Sequence, residues 1–173
     1  MAKQHDHYTH QIKKQNFPIT VVLGALRTPQ NIGMCLRVCE AFGVSKVYYD
    51  ENGPDLNNRL LKRTAREAEK KLSVISYNDV ISLLENHEQN DFKILALELT
   101  DKSVNIRSYA FNPQEKICLI VGSERYGIPQ DVLNKCQDYI AIDMYGENSS
   151  INVATSLSIA LYEITNQIRT QNS

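Results

Sequence analysis

Two patterns of apolar residues alternate along the chain from about residue 18 to residue 168. Short continuous apolar runs predict buried strands at 19–26, 46–49, 72–76, 93–98, 117–121 and 139–144. Between them, apolar residues recur every three or four positions, the period of a helix. In residues 31–42 the stripe is Ile32, Cys35, Leu36 and Cys39, and Thr28 before Pro29 marks the start. Further helices are predicted over 59–70 (strongly basic), 78–86 (opened by Asn78 or Asp79), 129–136 and 151–168, the last striped by Val153, Leu157, Ala160, Leu161, Ile164 and Ile168. Residues 99–113 are polar with little pattern. Residues 1–17 are read as a short polar N-terminal extension, and 18–173 as the domain itself. Alternating strands and helices predict an α/β fold, a parallel sheet covered by helices on both faces. Ligands of such sheets collect outside the carboxyl ends of the strands. That directs attention to the loops after residues 24, 98, 122 and 144.

The bulk numbers narrow the class only a little. A chain of 173 residues with 42% apolar and 23% charged residues suits one soluble domain. The longest apolar run, 117–121, is too short to cross a bilayer, and no apolar segment follows the polar start MAKQHDHYTH. The cytoplasm is the expected compartment, with no membrane partner. A net charge of −1 excludes attraction of nucleic acid over the whole surface, so any such contact must be a local patch. The densest patch is Arg59, Lys62, Arg63, Arg66, Lys70 and Lys71, set against only Glu67 and Glu69. On a continuous helix, 59, 62, 63, 66 and 70 would share one face. The competing reading is a solvated face, with Lys3, Lys13 and Lys14 as the rival basic cluster. Cys35, Cys39, Cys118 and Cys136 lack the CxxC spacing of zinc sites and are read as small core residues. His5, His7 and His10 lie in a polar terminus and His87 stands alone, so no metal is expected.

The common nucleotide signatures are missing. Gly24-Ala25-Leu26-Arg27 after the first strand is not a G-x-G-x-x-G loop, and there is no G-x-x-x-x-G-K-[ST] or G-x-S-x-G segment. Three other blocks carry polar residues where ligands are expected. In the first, Asn31 to Arg37, Arg37 follows Gly33 by four residues and leans over it, which predicts ligand space beside a guanidinium. In the second, Gly122 and Gly127 flank Glu124 after a buried strand, permitting a tight turn and close backbone approach. In the third, a strand ending in Ile142, Asp143 and Met144 leads through Gly146 to Ser149, Ser150, Ile151, Asn152 and Val153, a predicted serine-capped helix start with free N–H groups. Taken singly, each block also fits an ordinary helix, turn or cap.

In this order and spacing the blocks resemble the three signature motifs of the SpoU family, within the SPOUT superfamily of RNA methyltransferases. N-x-G-x-x-x-R is matched by Asn31, Gly33 and Arg37; G-x-E-x-x-G by Gly122, Glu124 and Gly127; the third motif by Met144, Gly146, Ser150, Asn152 and Val153. The resemblance covers roughly residues 18–168 and departs at Asp143, where proline is usual, and at Ile151, where leucine is usual. It implies a C-terminal trefoil knot and a homodimer with the active site near the subunit interface. It implies S-adenosyl-L-methionine bound in the knot by Leu97, Gly122, Ile142, Ser150 and Ile151, with Met144 and Asn152 in the same loops. It implies methyl transfer to a ribose 2′-hydroxyl of tRNA or rRNA, with Arg37 as the central catalytic residue and Asn31 and Glu124 orienting it or the ribose. Whether Arg37 is a base or a clamp stays open, because an arginine pKa of about 12.5–13.8 makes a neutral guanidine costly. RNA contacts are expected at Arg59, Lys62, Arg63 and Arg66. The alternatives are a non-catalytic RNA- or nucleotide-binding module on the same scaffold, and base methylation by a more distant SPOUT enzyme. The joint presence of Arg37, Glu124 and Asn152 argues against a decayed site.

Overall fold

The apolar runs pair into one parallel sheet, because each is separated from the next by a segment long enough to cross back over a face. In the computed structural model, which describes residues 14–148 and 150–171, the strands are β1 (Phe17–Leu23), β2 (Val44–Asp50), β3 (Ser73–Tyr77), β4 (Phe92–Leu97), β5 (Val104–Asn105), β6 (Lys116–Val121) and β7 (Asp138–Ala141). Their order across the sheet is β3-β2-β1-β6-β4-β7-β5, with every pairing parallel. The helices are α1 (Pro29–Ala41), α2 (Arg59–Ala65), α3 (Ala68–Lys71), α4 (Val80–Gln89), α5 (Gln130–Leu133) and α6 (Val153–Gln171). Expectations for Lys3, His5, His7, His10, Lys13 and Ser149 lie outside the described residues.

Successive strand residues face opposite sides, so the sheet has two cores. Val21 and Leu23 of β1, Leu95 and Leu97 of β4 and Leu119 and Val121 of β6 pack under α1, α2 and α6. Val22, Ile94, Ala96, Cys118 and Ile120 pack under α4 and α5. The expected sheet covered on both faces is therefore present. All four cysteines are buried and free. Burial pushes the thiols of Cys35, Cys118 and Cys136 up to about 12, which keeps them neutral. His87 is a core residue, with its ring packed edge-on between Tyr48 and Phe92 and its Nδ1 2.8 Å from the Leu83 carbonyl oxygen.

Five local expectations need correction. The basic helix 59–70 is two helices: Arg66 (φ 49°) and Glu67 (φ 68°) adopt left-handed backbone and re-aim the chain so that Ala68 is buried. The five-charge face is thereby divided. Lys70 pairs with Glu67 at 2.8 Å and Lys71 with Glu40 at 3.8 Å, while Arg59, Lys62, Arg63 and Arg66 stay exposed together on α2 and its cap. Gly33 does not leave room for a ligand, because α2 fills the space. A Cβ there would meet the Thr64 hydroxyl and the Leu61 carbonyl, and the Thr64 hydroxyl donates to the carbonyl of Gln30 at 3.2 Å. The last strand stops at Ala141, since β5 offers partners only to Ile140 and Ala141. Helix α6 begins at Val153 and is capped by Asn152 rather than by serine: the Asn152 Oδ1 accepts from the N–H groups of Ala154 at 3.0 Å and Thr155 at 3.3 Å. The patternless stretch 99–113 holds β5 and buries Ile106 and Phe111, whose backbone is tied to α6 by Gln167 and Gln171.

The two classes of glycine give a stability test. Gly33→Ala pushes a methyl into the α2 backbone and is expected to cost about 1–3 kcal/mol in urea denaturation. Gly146→Ala meets nothing within 4 Å and is expected to stay within about 0.5 kcal/mol of the parent.

Candidate active site

Strands β6, β4 and β7 lie side by side, and their register brings Val121, Leu97 and Ile140 level at one edge of the sheet. The backbone beyond that edge has no ladder to join, so it turns into loops whose polar groups face outward. Glu98 and Leu99, the turn residues 122–125 with Gly127, and Ile142, Met144, Ser150, Ile151 and Asn152 enclose a cavity of about 590 Å³. That size is in the range of small-ligand sites. Every residue expected at a cofactor lines it: Leu97, Gly122, Ile142, Met144, Ser150, Ile151 and Asn152. Asn31 and Glu124 line it as well. Asp143 is exposed and absent from the lining, while its neighbours Ile142 and Met144 point in, so its carboxylate does not enter the cavity.

The three sequence blocks meet through one amide. Asn31 Nδ2 donates to Glu124 Oε1 at 2.9 Å, and Asn31 Oδ1 accepts from Asn152 Nδ2 at 2.9 Å. Asn31 sits in the first turn of α1, Glu124 in the turn after β6, and Asn152 at the cap of α6. Asn152 thus uses its oxygen for the helix and its nitrogen for Asn31. Partial burial raises the Glu124 pKa. It is outweighed by hydrogen bonds from Asn31, from the backbone N–H groups of Glu124 and Arg27 and from the Thr28 hydroxyl, which hold the carboxyl below the ordinary carboxylate value.

Glu98 is a site residue that the motif analysis missed. Its Oε2 accepts from the N–H of Ile128 at 3.0 Å and its Oε1 from the N–H of Leu99 at 3.1 Å. A Cβ on Gly127 (φ 62°) would collide with this carboxylate, so the glycine serves both the turn and the clamp. The available signal was a carboxylate standing at the carboxyl end of a buried strand. With Arg125, Glu98 and Glu124 give the cavity two carboxylates and one guanidinium, a set that fits a ligand bearing both cationic groups and a carboxylate.

Arg37 is elsewhere. It projects from α1 into solvent, lines no part of this cavity, and has no hydrogen-bond or ion-pair partner among the described residues. Arg59, Lys62, Arg63 and Arg66 lie on α2 and its cap, and α2 packs against the helix that carries Arg37. Among the described residues there is no group of three His, Cys, Asp or Glu side chains placed to hold a metal, and no helix is long and apolar enough to cross a membrane.

A parallel α/β sheet with its cavity at the carboxyl ends of the central strands is the general architecture of a nucleotide-type ligand binder. More specifically, the chain belongs to the SpoU rRNA Methylase family, whose model matches residues 18–162. It is 28% identical over 170 residues to an uncharacterised tRNA/rRNA methyltransferase of Borreliella burgdorferi, covering 96% of this chain and 72% of that protein. It is 28% identical over 149 residues to the 23S rRNA (guanosine-2'-O-)-methyltransferase RlmB of Xylella fastidiosa, covering 86% of this chain and 59% of that one. Among solved structures, the A. aeolicus TrmH/SpoU tRNA modifying enzyme superposes with a TM-score of 0.81 at 24% identity, over 92% of this chain and 79% of that one. A structure of an enzyme for 2-OH methylation of C/U34 on tRNA superposes with a TM-score of 0.78 at 24% identity, over 88% of this chain and 97% of that one. These likenesses establish the fold.

The lowered Glu124 pKa has a definite sign. A carboxyl whose pKa is depressed on folding stabilises the protein above its unfolded pKa, and that contribution is lost as pH falls through the folded value. The stability gap between the parent and Glu124→Gln, from urea melts, should be constant near neutrality and close in acid. A gap that widens on acidification contradicts the assignment.

Proposed function

We propose that the chain transfers a methyl group from S-adenosyl-L-methionine to a ribose 2′-hydroxyl of tRNA or rRNA. The observation that carries this reading is the Glu124–Asn31–Asn152 relay, which joins all three motifs at the wall of one cavity. The domain is residues 18–173, and the cavity loops hold the methyl donor through Leu97, Gly122, Ile142, Met144, Ser150, Ile151 and Asn152. The donor supplies an electrophilic methyl carbon next to a sulfonium. The chain's own part is to orient the hydroxyl, whose proton passes to water as the methyl is transferred and the donor leaves as S-adenosylhomocysteine. Glu124 fixes the Asn31 amide, and Asn31 and Asn152 set the face on which the ribose rests. Arg37 keeps its charge and clamps the neighbouring phosphate, aligning the hydroxyl for attack. Insertion of β7 between the earlier strands β4 and β5 fits a trefoil knot in the C-terminal half.

Arg37 does this from a second copy of the chain. A homodimer brings Arg37 of one copy to the cavity of the other, which accounts for its exposure and its lack of partners in one chain. The packed helices α1 and α6 expose Met34, Ile159 and Tyr162, apolar surface suited to such an interface. Two experiments test this. S-adenosylhomocysteine titrated calorimetrically should bind once per chain, and nucleoside mass spectrometry should find a 2′-O-methylated nucleoside that is absent from RNA of a deletion strain. A base-methylated nucleoside instead, or no change at all, sinks the reading. Arg37→Ala and Arg37→Lys should each lose at least about 100-fold in turnover with cofactor affinity unchanged, since an ammonium does not reproduce the bidentate fork. Mixed dimers of Arg37→Ala with Asn152→Ala should recover activity through one intact composite site.

RNA is held by Arg59, Lys62, Arg63 and Arg66. Charge reversal at Lys62 and Arg66 should weaken RNA binding and flatten its salt dependence by roughly 0.7 log–log units per lost phosphate contact on single strands. If that double reversal leaves binding unchanged while removal of residues 1–15 abolishes it, the basic α2 surface is not the RNA site.

A further inference from the structure

Among the large apolar side chains exposed in the described residues, the three most exposed lie on the loops that form the cavity. They are Tyr145 (94%), Tyr126 (77%) and Leu99 (67%), from the loops after β7, β6 and β4 respectively. Leu99 lines the cavity, Tyr126 stands between the lining residues Arg125 and Gly127, and Tyr145 follows the lining residue Met144. Exposed apolar side chains on scattered surface loops need no explanation, but the three most exposed all falling on the loops of one cavity do.

The most defined of them is Tyr126. Its turn is closed by two reciprocal hydrogen bonds, Ser123 N–H to Gly127 O and Gly127 N–H to Ser123 O, both 3.0 Å. The Tyr126 N–H donates to Ser123 Oγ at 3.2 Å, and Glu98 holds the exit of the turn at Ile128. The backbone under Tyr126 is therefore fixed on both sides although its ring is in water. Within this turn the side chains divide. Glu124 turns to Asn31, whereas the Arg125 guanidinium lies over the Tyr126 ring, 5.2 Å from its centroid. Arg125 also lines the cavity. An exposed ring with a cation against it, on a rigid turn beside a reaction site, is a stacking platform for another flat group carrying negative charge on its chain.

We propose that Tyr126 with Arg125 is a stacking site for a nucleobase of the RNA substrate, beside the cavity that Arg125 and Leu99 line. The inference rests on the functional reading above and narrows its substrate class. A base can reach an exposed ring only when it is unpaired, so the target nucleotide or its neighbour lies in a loop, bulge or single-stranded stretch rather than within a duplex. Stacking is tolerant of sequence because every base has a flat face. The platform accordingly selects for unpaired RNA, and the base identity is read elsewhere.

The test uses the full-length protein and an oligoribonucleotide carrying 2-aminopurine, whose fluorescence falls on stacking, alone and in a blunt duplex with its complement. The single strand should be quenched by the parent and by Tyr126→Phe, but not by Tyr126→Ala. The alanine variant should bind the single strand about 5- to 100-fold more weakly. Duplex binding, S-adenosylhomocysteine affinity and thermal stability should be unchanged in Tyr126→Ala. If the alanine variant quenches and binds like the parent, the stacking site is wrong while the methyltransferase reading stands. If Tyr126→Ala shifts the oligomeric state, the surface is an interface between copies and the proposal is overturned. If the parent binds no RNA at all, both the platform and the RNA reading fall.

Discussion

The side-chain amide of Asn31 is the contact around which the site is built. An amide offers a donor and an acceptor a little over 2 Å apart, and here each is used once, by Glu124 and by Asn152. No other side chain of that length does this. Aspartate at position 31 would oppose Glu124 with a like charge, and leucine would leave both partners unmatched. The two bonds join segments separated by 93 and 121 residues. Each is partly solvated and contributes only about 0.5–1.5 kcal/mol net. Against the burial of two cores, that is too little to be the reason the chain folds. What the relay supplies is orientation: one rotamer each for three polar side chains at the rim of a cavity.

The sheet makes that orientation possible. Because all the strands run parallel, their carboxyl ends share one side. The register that aligns Leu97, Val121 and Ile140 delivers three loops to one place without any of them being long. Two helix ends are delivered there as well: Asn31 is in the first turn of α1, and Asn152 caps α6. Asn152 shows how economical the arrangement is, because the same side chain satisfies two orphan N–H groups of α6 and reaches back to α1. A change at this position therefore disturbs a helix terminus and the site together.

Much of this was legible from the sequence, and the reasons differ by element. Central strands such as β6 and β4 are buried on both faces and read as unbroken apolar runs, so their existence and place were plain. The residues that line the cavity were legible because their spacing matched a family pattern; their contacts were not, since no periodicity links Asn31 to Glu124. The helix break at Arg66–Glu67 was hidden because neither residue is glycine or proline. The left-handed backbone is imposed by burial of Ala68, a tertiary demand that outweighs local preference. Gly33 was misread for a related reason. A helical glycine signals close approach but does not say of what, and here the approaching group is another helix. Glu98 was invisible as a motif because a clamp on two backbone N–H groups needs only one carboxylate at a strand end, with no accompanying signature.

The spacing of the first motif carries a geometric consequence for Arg37. Asn31 and Arg37 are six residues apart on a regular helix, which at 3.6 residues per turn separates their directions by about 120° and their heights by about 9 Å. One way round α1 between those directions lie the core stripe and then Gly33, covered by α2; the other way lies the exposed Met34. The core stripe and the α2 contact together fix the rotation of α1, so it does not roll to bring Arg37 round to the cavity that Asn31 lines. The guanidinium cannot make up the distance by extension either, because a helical side chain leans back over its own preceding turn, here toward the surface shared with α2. A single chain thus holds the orienting amide and the free guanidinium of one motif on different surfaces.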